Sequence, residues 1–525
     1  MSARSPFYVT TAIPYANGAP HIGHAYERIA TDAIARFKRL DGFDVLFVTG
    51  MDEHGQKMQR TAAGEGLTPQ QLADRTAAQF AAMGSALFAD ACDVVRTTQS
   101  RHHAAARELW ARMAAAGDIY LAKYPGWYSV RDEAFFDAAD LTEGPGGSRL
   151  APTGAPVEWV EEETYYFRLS AYQDRLLKLY RDSANFVTPE KYRNEIIAFV
   201  ERGLTDLSIS RSTFDWGIPV PGDLRHVMYV WVDALANYIT ATGFPDPAAS
   251  RAHFWPASAH VIGKDITRFH AVYWPAFLMS AKLALPRQIV VHGFLFNRGE
   301  KMSKSVGNVI DPLALAGHYG ADQLRYFLLR EVPFGQDGTY SHEAIINRIN
   351  ADLANDLGNL AQRSLSMVAK NCGGILPGPA ALMSAADQAL LAQAAALPAK
   401  ARAAMQDYAL HMVLTEIWRV VGEANRYFAS EEPWAKGKND PRRMQTILYV
   451  TAEVLRMVAI MTQPFMPASM EKLLGLLNAP ANARKFANAE TAQGLVAGTL
   501  LPPPAPVFPR YTDAEEDLLP RGLAC

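Results

Sequence analysis

Cysteine is almost missing: Cys92, Cys372 and Cys525 are the only three in 525 residues. No two of them have the spacing of a zinc knuckle or a disulfide framework, so thiolate metal scaffolds and small cross-linked secreted folds are excluded. The count fits a reducing compartment. An excess of one charge is missing too. Lys plus Arg number 51 against 54 Asp plus Glu, a net charge of −3, which excludes a protein that coats a polyanion by bulk charge. Any polyanion site has to be local. No apolar run reaches the roughly 20 residues needed to cross a bilayer, because Arg, Asp, Gln or Glu interrupt the alanine-rich stretches. The N-terminus MSARSPFYVT enters a strand-like run with no room for a secretory signal, so the expected location is the cytoplasm. Internal repeats are also missing.

What is present is ordinary globular material. Hydrophobic residues make up 49% and charged residues 20%, and at about 150 residues per domain the length suggests three or four domains. Phe7 to Thr11 is β-rich, and after a loop with Pro14, Asn17, Gly18 and Pro20 the apolar residues Ile29, Ala33, Phe37 and Leu40 form one helical stripe. Asp44 to Gly50 then reads as a strand buried on both faces, completing a βαβ opening. Thr68, Pro69 and Gln71 are the start of a capped helix, and Ser100 is a candidate cap for the next. From about Asp118 to Ser210 the alternation breaks into an aromatic, Gly- and Pro-rich segment and two helices, one capped by Ser170 with Gln173 and one starting at Thr188-Pro189. This reads as an inserted domain. Strands are expected to resume at Val227–Val232, Ala259–Ile262 and Gln288–His292, giving an α/β fold with a split, doubly wound parallel sheet. Beyond Ser341, stripes such as Ile345, Ile349, Leu353 and Leu357 predict a helical bundle, ending in an extended Pro-rich tail at 501–506.

Two short motifs carry chemistry. His21-Ile22-Gly23-His24 falls where the first strand hands over to a helix, at the strand ends where doubly wound sheets bind ligands. Two imidazoles there can hydrogen-bond a phosphate, and Gly23 lets a planar base approach the backbone. A satisfied helix cap and a His-x-x-His metal pair are the other readings. Lys301-Met302-Ser303-Lys304-Ser305 follows a hairpin turning at Asn297-Arg298-Gly299-Glu300 and suits a triphosphate whose charge grows on a leaving pyrophosphate; a solvated lysine turn is its alternative.

Together, in this order and context, the motifs resemble the paired signatures of class I aminoacyl-tRNA synthetases. Ala12-Ile13-Pro14-Tyr15-Ala16-Asn17-Gly18, Asp52-Glu53-His54-Gly55, Tyr229-Val230-Trp231-Val232-Asp233-Ala234, and Gly263-Lys264-Asp265 leading to Phe269-His270 narrow the resemblance to the methionyl-tRNA synthetase family, from Phe7 to about Pro467. The resemblance implies a Rossmann-like catalytic domain split between 1–117 and 212–293. It further implies an inserted connective domain at 118–211, a lysine-loop linker at 294–345, and an all-α anticodon-binding domain with its tail at 346–525.

It also implies roles. Asp52 would anchor the substrate ammonium, while Ile13, Tyr15, Trp231, Ala234, Leu235, Tyr238, Ile266 and His270 would line the methionine pocket. Aromatic and aliphatic walls suit a polarizable thioether. Leu235 stands where well-known members carry proline. His21, Gly23, His24, Lys301, Ser303 and Lys304 would hold ATP, and Arg211 resembles an active-site arginine, with a salt-bridged structural arginine as the alternative. Magnesium would enter with ATP rather than in a protein cage. Ser129 and Asp132 stand in the insertion where a knuckle would show cysteine, which places the chain in the zinc-free branch. Asn359, Arg363 and Trp434 match residues that read the CAU anticodon, and Lys436, Lys438, Arg442 and Arg443 form a basic cluster suited to phosphate or to a solvated loop.

The expected partners are therefore L-methionine, ATP with Mg2+ and tRNA(Met), with no zinc, no membrane and a monomeric chain. The insertion is too short for the editing domain of leucyl, valyl and isoleucyl relatives. Two rivals come from other classes. A silent tRNA-binding paralogue is disfavoured by the intact Asp52, His21, His24, Lys301 and Lys304. A metal hydrolase using His21, His24, Asp52 and His54 would leave the lysine loop without a purpose.

Overall fold

A computed structural model of the chain describes residues 4–132, 134–136, 138–297, 300–301, 310–380, 382–492 and 494–511. Strand β1 (Pro6–Thr11) leads into helix α1 (Ile22–Leu40) and strand β2 (Asp44–Met51). The helix Pro69–Ala86 begins with the expected capping box, Thr68 accepting from the Gln71 amide while Gln71 returns a bond to the Thr68 N–H. Strand β3 (Asp93–Arg96) and helix α2 (Ser100–Ala115) follow, the cap position being Gln99 rather than Ser100.

The insertion is built on a long antiparallel pair, β4 (Ile119–Ser129) and β5 (Glu158–Phe167). Ser170 does not cap a helix: it lies in a short turn, Leu169–Tyr172, where its hydroxyl donates to Asp206 at 2.5 Å. The chain then contributes β6 (Val187–Thr188), an antiparallel strand β7 (Asp223–Met228), helix α3 (Val230–Leu235), and strands β8 (Ala259–Gly263) and β9 (Ile289–His292). The six-stranded sheet runs β3-β2-β1-β8-β9-β6 and every pairing in it is parallel.

Two expectations change here. Val227–Val232 is not a strand of the parallel sheet: β7 pairs with Ser210–Arg211 and Pro219–Val220 in a separate antiparallel sheet, and the chain turns helical at Val230. A short apolar run carries no period that separates strand from helix. Conversely, β6 comes from the stretch read as insertion, and two residues are too few to announce a strand.

Alternation along the strands sets the two faces. Val9, Phe47, Val261 and Val290 pack into a core with α1 that runs without a break into the helices of the last third, while Ile262, Ile289 and Val291 pack with α2 and the insertion helices. Hairpin β10 (Leu295–Asn297) and β11 (Glu300–Lys301) joins β12 (Gly338–Tyr340), and helix α4 (Ala321–Glu331) leads to the bundle. There Ile345, Ile349, Leu353 and Leu357 are buried as their spacing predicts.

The bundle contains α5 (Asn359–Asn371), α6 (Leu410–Glu431), α7 (Pro433–Asn439) and α8 (Pro441–Thr462). Helix α8 corrects the statement that no apolar segment is long enough to span a bilayer: by length and composition it is, but 94% of its apolar window is buried in the bundle. Its Glu453 and Arg456 pair internally, and Glu453 also accepts from the Gly494 and Leu495 amides. The extended tail packs back on the molecule, with the Tyr511 hydroxyl donating to the His318 carbonyl at 3.0 Å.

Candidate active site

The N-terminus of α1 is capped by its own histidines. His21 Nδ1 accepts from the Gly23 amide at 3.1 Å, and His24 Nδ1 accepts from the His21 amide at 3.2 Å. Because each Nδ1 is an acceptor, a neutral ring carries its proton on Nε2. The rings stack with centroids 3.7 Å apart, and Nδ1 of each ring builds the helix end, as the cap reading expects. Gly23 is required for the stack, since a Cβ there would lie 2.9 Å from His21 Cε1.

Asp52 follows β2 and forms a backbone bridge with Tyr15, its amide donating to the Pro14 carbonyl at 2.9 Å and its carbonyl accepting from the Ala16 amide at 2.8 Å. Ile13, Asp52, Trp231, Ala234, Leu235, Tyr238, Ile266 and His270, together with Ala12, line one cavity. Tyr15 is not among its walls; its ring faces Lys57 and its hydroxyl donates to the His54 carbonyl at 2.7 Å. The cavity measures about 20 Å3, room for about one water. Of its walls, Trp231 is held by a stack on Phe269, with ring centroids 3.7 Å apart.

At the apolar end, His270 Nδ1 donates to the Ile266 carbonyl at 2.9 Å and Nε2 accepts from the Tyr238 hydroxyl at 2.7 Å. That pattern is a neutral imidazole, and burial pushes its pKa down to about 4. The pKa is depressed in the folded chain, so the unfolded chain binds the proton first as pH falls. The stability associated with neutral His270 is fully present above the ordinary value of 6.5 and is lost between 6.5 and about 4. We expect about 3 kcal/mol of acid-dependent stability from this group. Urea midpoints between pH 7 and 4.5 should show a shallower decline for His270→Gln than for the wild type; parallel declines would reject the assignment.

Lys301 lies in β11, its backbone paired with Phe296. Ser303 and Lys304 lie outside the described residues. Arg211 is buried, donating to the Ser210 carbonyl at 2.6 Å and the Ser208 hydroxyl at 2.9 Å, with its guanidinium 4.7 Å from the Tyr229 ring centroid. It is not a wall of the cavity.

In the bundle, Arg363 and Trp434 meet: the guanidinium lies 5.4 Å from the indole centroid and 5.1 Å from Phe428, and Trp434 is 51% exposed. Asn359 is exposed one turn earlier on α5. Arg443 departs from the phosphate reading of its cluster, because it is occupied by Asp387 and Glu431.

Sequence reasoning missed a group behind the cavity. Asp233 is fully buried and accepts from His54 Nδ1 and His102 Nε2, both at 2.6 Å. Burial alone would raise its pKa, but the two histidines reverse this and hold the carboxyl well below the carboxylate range. Glu27 on α1, paired with His292 at the end of β9 at 2.9 Å, was also missed. Among the described residues, no group of three or more His, Cys, Asp or Glu could hold a metal ion. In the insertion, Asp132 accepts from Ser129 at 2.9 Å and from Thr153 at 2.5 Å, closing the loop with hydrogen bonds.

A six-stranded parallel sheet, a histidine-capped first helix and a hairpin reaching Lys301 after the sheet's last strand match the class I aminoacyl-tRNA synthetase architecture. A family model described as "tRNA synthetases class I (M)" matches residues 7–145 and 148–365, and one described as "Anticodon binding domain of methionyl tRNA ligase" matches 378–521. The chain is 63% identical to a methionine--tRNA ligase of Brucella melitensis biotype 1, covering 98% of this chain and 99% of that one. It is 58% identical to one from Mycobacterium tuberculosis, covering 96% and 98%. The solved Mycobacterium tuberculosis methionyl-tRNA synthetase in complex with methionyl-adenylate superposes with a TM-score of 0.94 at 57% identity, covering 96% of this chain and 100% of that one. Its apo form gives 0.88 at 54% identity, covering 97% and 99%. The chain belongs to the methionyl-tRNA synthetase family of class I.

Proposed function

We propose that the chain activates L-methionine with ATP and transfers it to the 3′-terminal adenosine of tRNA(Met), serving initiation and elongation. The carrying observation is the juxtaposition of a carboxylate, Asp52, with an apolar cavity ending in a neutral imidazole, at the strand ends that also hold the capped start of α1. An ammonium at Asp52 and a thioether near Trp231 and His270 fit its two ends, and Ile13, Ala234, Leu235, Tyr238 and Ile266 supply apolar contact. Tyr15 acts from outside the cavity, holding the loop of Asp52 through the His54 carbonyl.

In the first step a methionine carboxylate oxygen attacks the α-phosphorus of ATP, the bond to the β-phosphate oxygen breaks, and pyrophosphate leaves with the electron pair. No base is needed, because the carboxylate is already ionised. His21 and His24 donate through Nε2 to the phosphates at the positive end of α1, and Gly23 keeps the backbone close. Lys301, Ser303 and Lys304 bind the departing phosphates; Arg211 supports the site from the sheet it shares with β7. Mg2+ accompanies ATP as part of the substrate. In the second step a ribose hydroxyl of the tRNA attacks the carbonyl carbon, and AMP leaves.

The proposed division is a catalytic domain split between 1–117 and 212–293, a zinc-free insertion at 118–211, a linker at 294–345 and an anticodon domain at 346–525. The proposed setting is a monomer in the cytoplasm. Hydrogen bonds at Asp132 support an insertion that folds without metal.

Methionine-dependent exchange of pyrophosphate into ATP tests the reading, with leucine and cysteine as controls. No exchange by pure protein would overturn the activity, and exchange driven by leucine would overturn the substrate. For the tRNA, Trp434 can stack on an unpaired base while Arg363 and Asn359 reach its edge. Trp434→Ala should leave exchange unchanged and lower tRNA charging about tenfold or more, the loss typical of one stacked base. An equal fall in both rates would contradict this role.

A further inference from the structure

Asp233 does not line the cavity, yet it connects the two walls that the substrate must touch. One wall is α3, which carries Trp231, Ala234 and Leu235; the other is the loop after β2, which carries Asp52. Asp233 sits between Trp231 and Ala234 and reaches away from the cavity. Its Oδ2 accepts from His54, two residues beyond Asp52, and its Oδ1 accepts from His102 on α2, each at 2.6 Å.

All three side chains are buried. Side-chain exposure is 1% for Asp233, 0% for His102 and 5% for His54. The far nitrogen of His102 meets the Thr240 hydroxyl at 3.1 Å, on the turn that carries Tyr238. The His54 carbonyl takes the Tyr15 hydroxyl, and Tyr15 is bridged to Asp52. Between Asp52 and His54, buried Glu53 is fixed by Arg96 at 2.6 Å and Thr98 at 2.5 Å. The two residues that follow the ammonium anchor are thus both held, and the holder of the second, Asp233, stands in the helix that forms the thioether wall.

We propose that Asp233, with His54 and His102, is a positioning residue that sets the span between Asp52 and the Trp231–Leu235 wall, and so selects the length of the amino-acid side chain. A buried carboxylate with two short hydrogen bonds is a stiff spacer, because releasing either bond leaves a buried polar group unsatisfied. Side-chain length is what this site has to measure, since a thioether offers no strong hydrogen bond to read. The inference rests on reading the cavity as the methionine site.

The test is pyrophosphate exchange by the full chain, with methionine, ethionine and norleucine as substrates. Asp233→Asn should raise KM for methionine about tenfold, leave KM for ATP within twofold, and lower several-fold the kcat/KM preference for methionine over ethionine. His54→Gln, which loses one of the two bonds, should move the same quantities in the same direction by less, and it serves where Asp233→Asn fails to fold. If the folded variants are less heat-stable but keep the wild-type methionine KM and preference, the role is structural only and the proposal is overturned. Wild-type protein without methionine-dependent exchange would overturn the site reading and this inference together, whereas an active wild type with unmoved variants overturns the inference alone.

Discussion

Replacing Gly23 with alanine is expected to lower the rate of methionyl-adenylate formation by about 10²- to 10³-fold, the usual consequence of losing one donor aimed at a developing negative charge. The added Cβ would sit 2.9 Å from His21 Cε1 and 3.0 Å from its Nδ1, closer than carbon tolerates. The His21 ring must turn away, which breaks the bond from the Gly23 amide to Nδ1 and the stack on His24. Both changes disorder the Nε2 atoms proposed to donate to the phosphates, while the cavity walls around Trp231 and His270 are untouched. Single-turnover adenylate formation should therefore collapse with methionine affinity nearly unchanged. A rate within about tenfold of wild type would show that the cap does not position the donors.

Local chemistry was legible in the sequence where few residues decide it. The Thr68/Gln71 capping box, the β1-α1-β2 opening and the buried stripe Ile345, Ile349, Leu353 and Leu357 each follow from spacing within one element. Of the residues that the resemblance places in the methionine pocket, Ile13, Asp52, Trp231 and His270 line one cavity and Tyr15 does not. What escaped was set by distant partners. Asp233 is 131 positions from His102 and 179 from His54, so no window of sequence contains the network, although His54 and Asp233 each stand in a motif already singled out. Strand β6 escaped for another reason: Val187–Thr188 is a strand only because β9 offers it an edge. Helix α8 is the opposite case, a sequence apolar enough for a membrane whose burial is decided by the helices around it.

The same dependence on distant partners makes Arg325 the position where one substitution should cost the most stability. Arg325 on α4 is 0% exposed. It donates to Asp32 on α1 at 2.7 Å, to the Leu87 carbonyl at 3.0 Å, and to the Pro464 and Phe465 carbonyls beyond α8 at 2.8 and 2.9 Å. One guanidinium thus satisfies groups from the catalytic sheet's first helix and from the bundle. Arg325→Met keeps an apolar stem of similar length but strands those carbonyls and leaves Asp32 to the ion pair with the partly exposed Arg36. Breaking a buried pair from one side costs about 3–5 kcal/mol, far more than an exposed ion pair contributes. In urea the first unfolding transition should move down by that amount, read as a transition rather than a two-state value because the chain has several domains. Removing the carboxylate as well, in Asp32→Asn/Arg325→Met, should recover part of the loss, since no uncompensated charge is then left inside. A single variant within about 1 kcal/mol of wild type would mean that packing of α4 alone holds the catalytic sheet to the bundle.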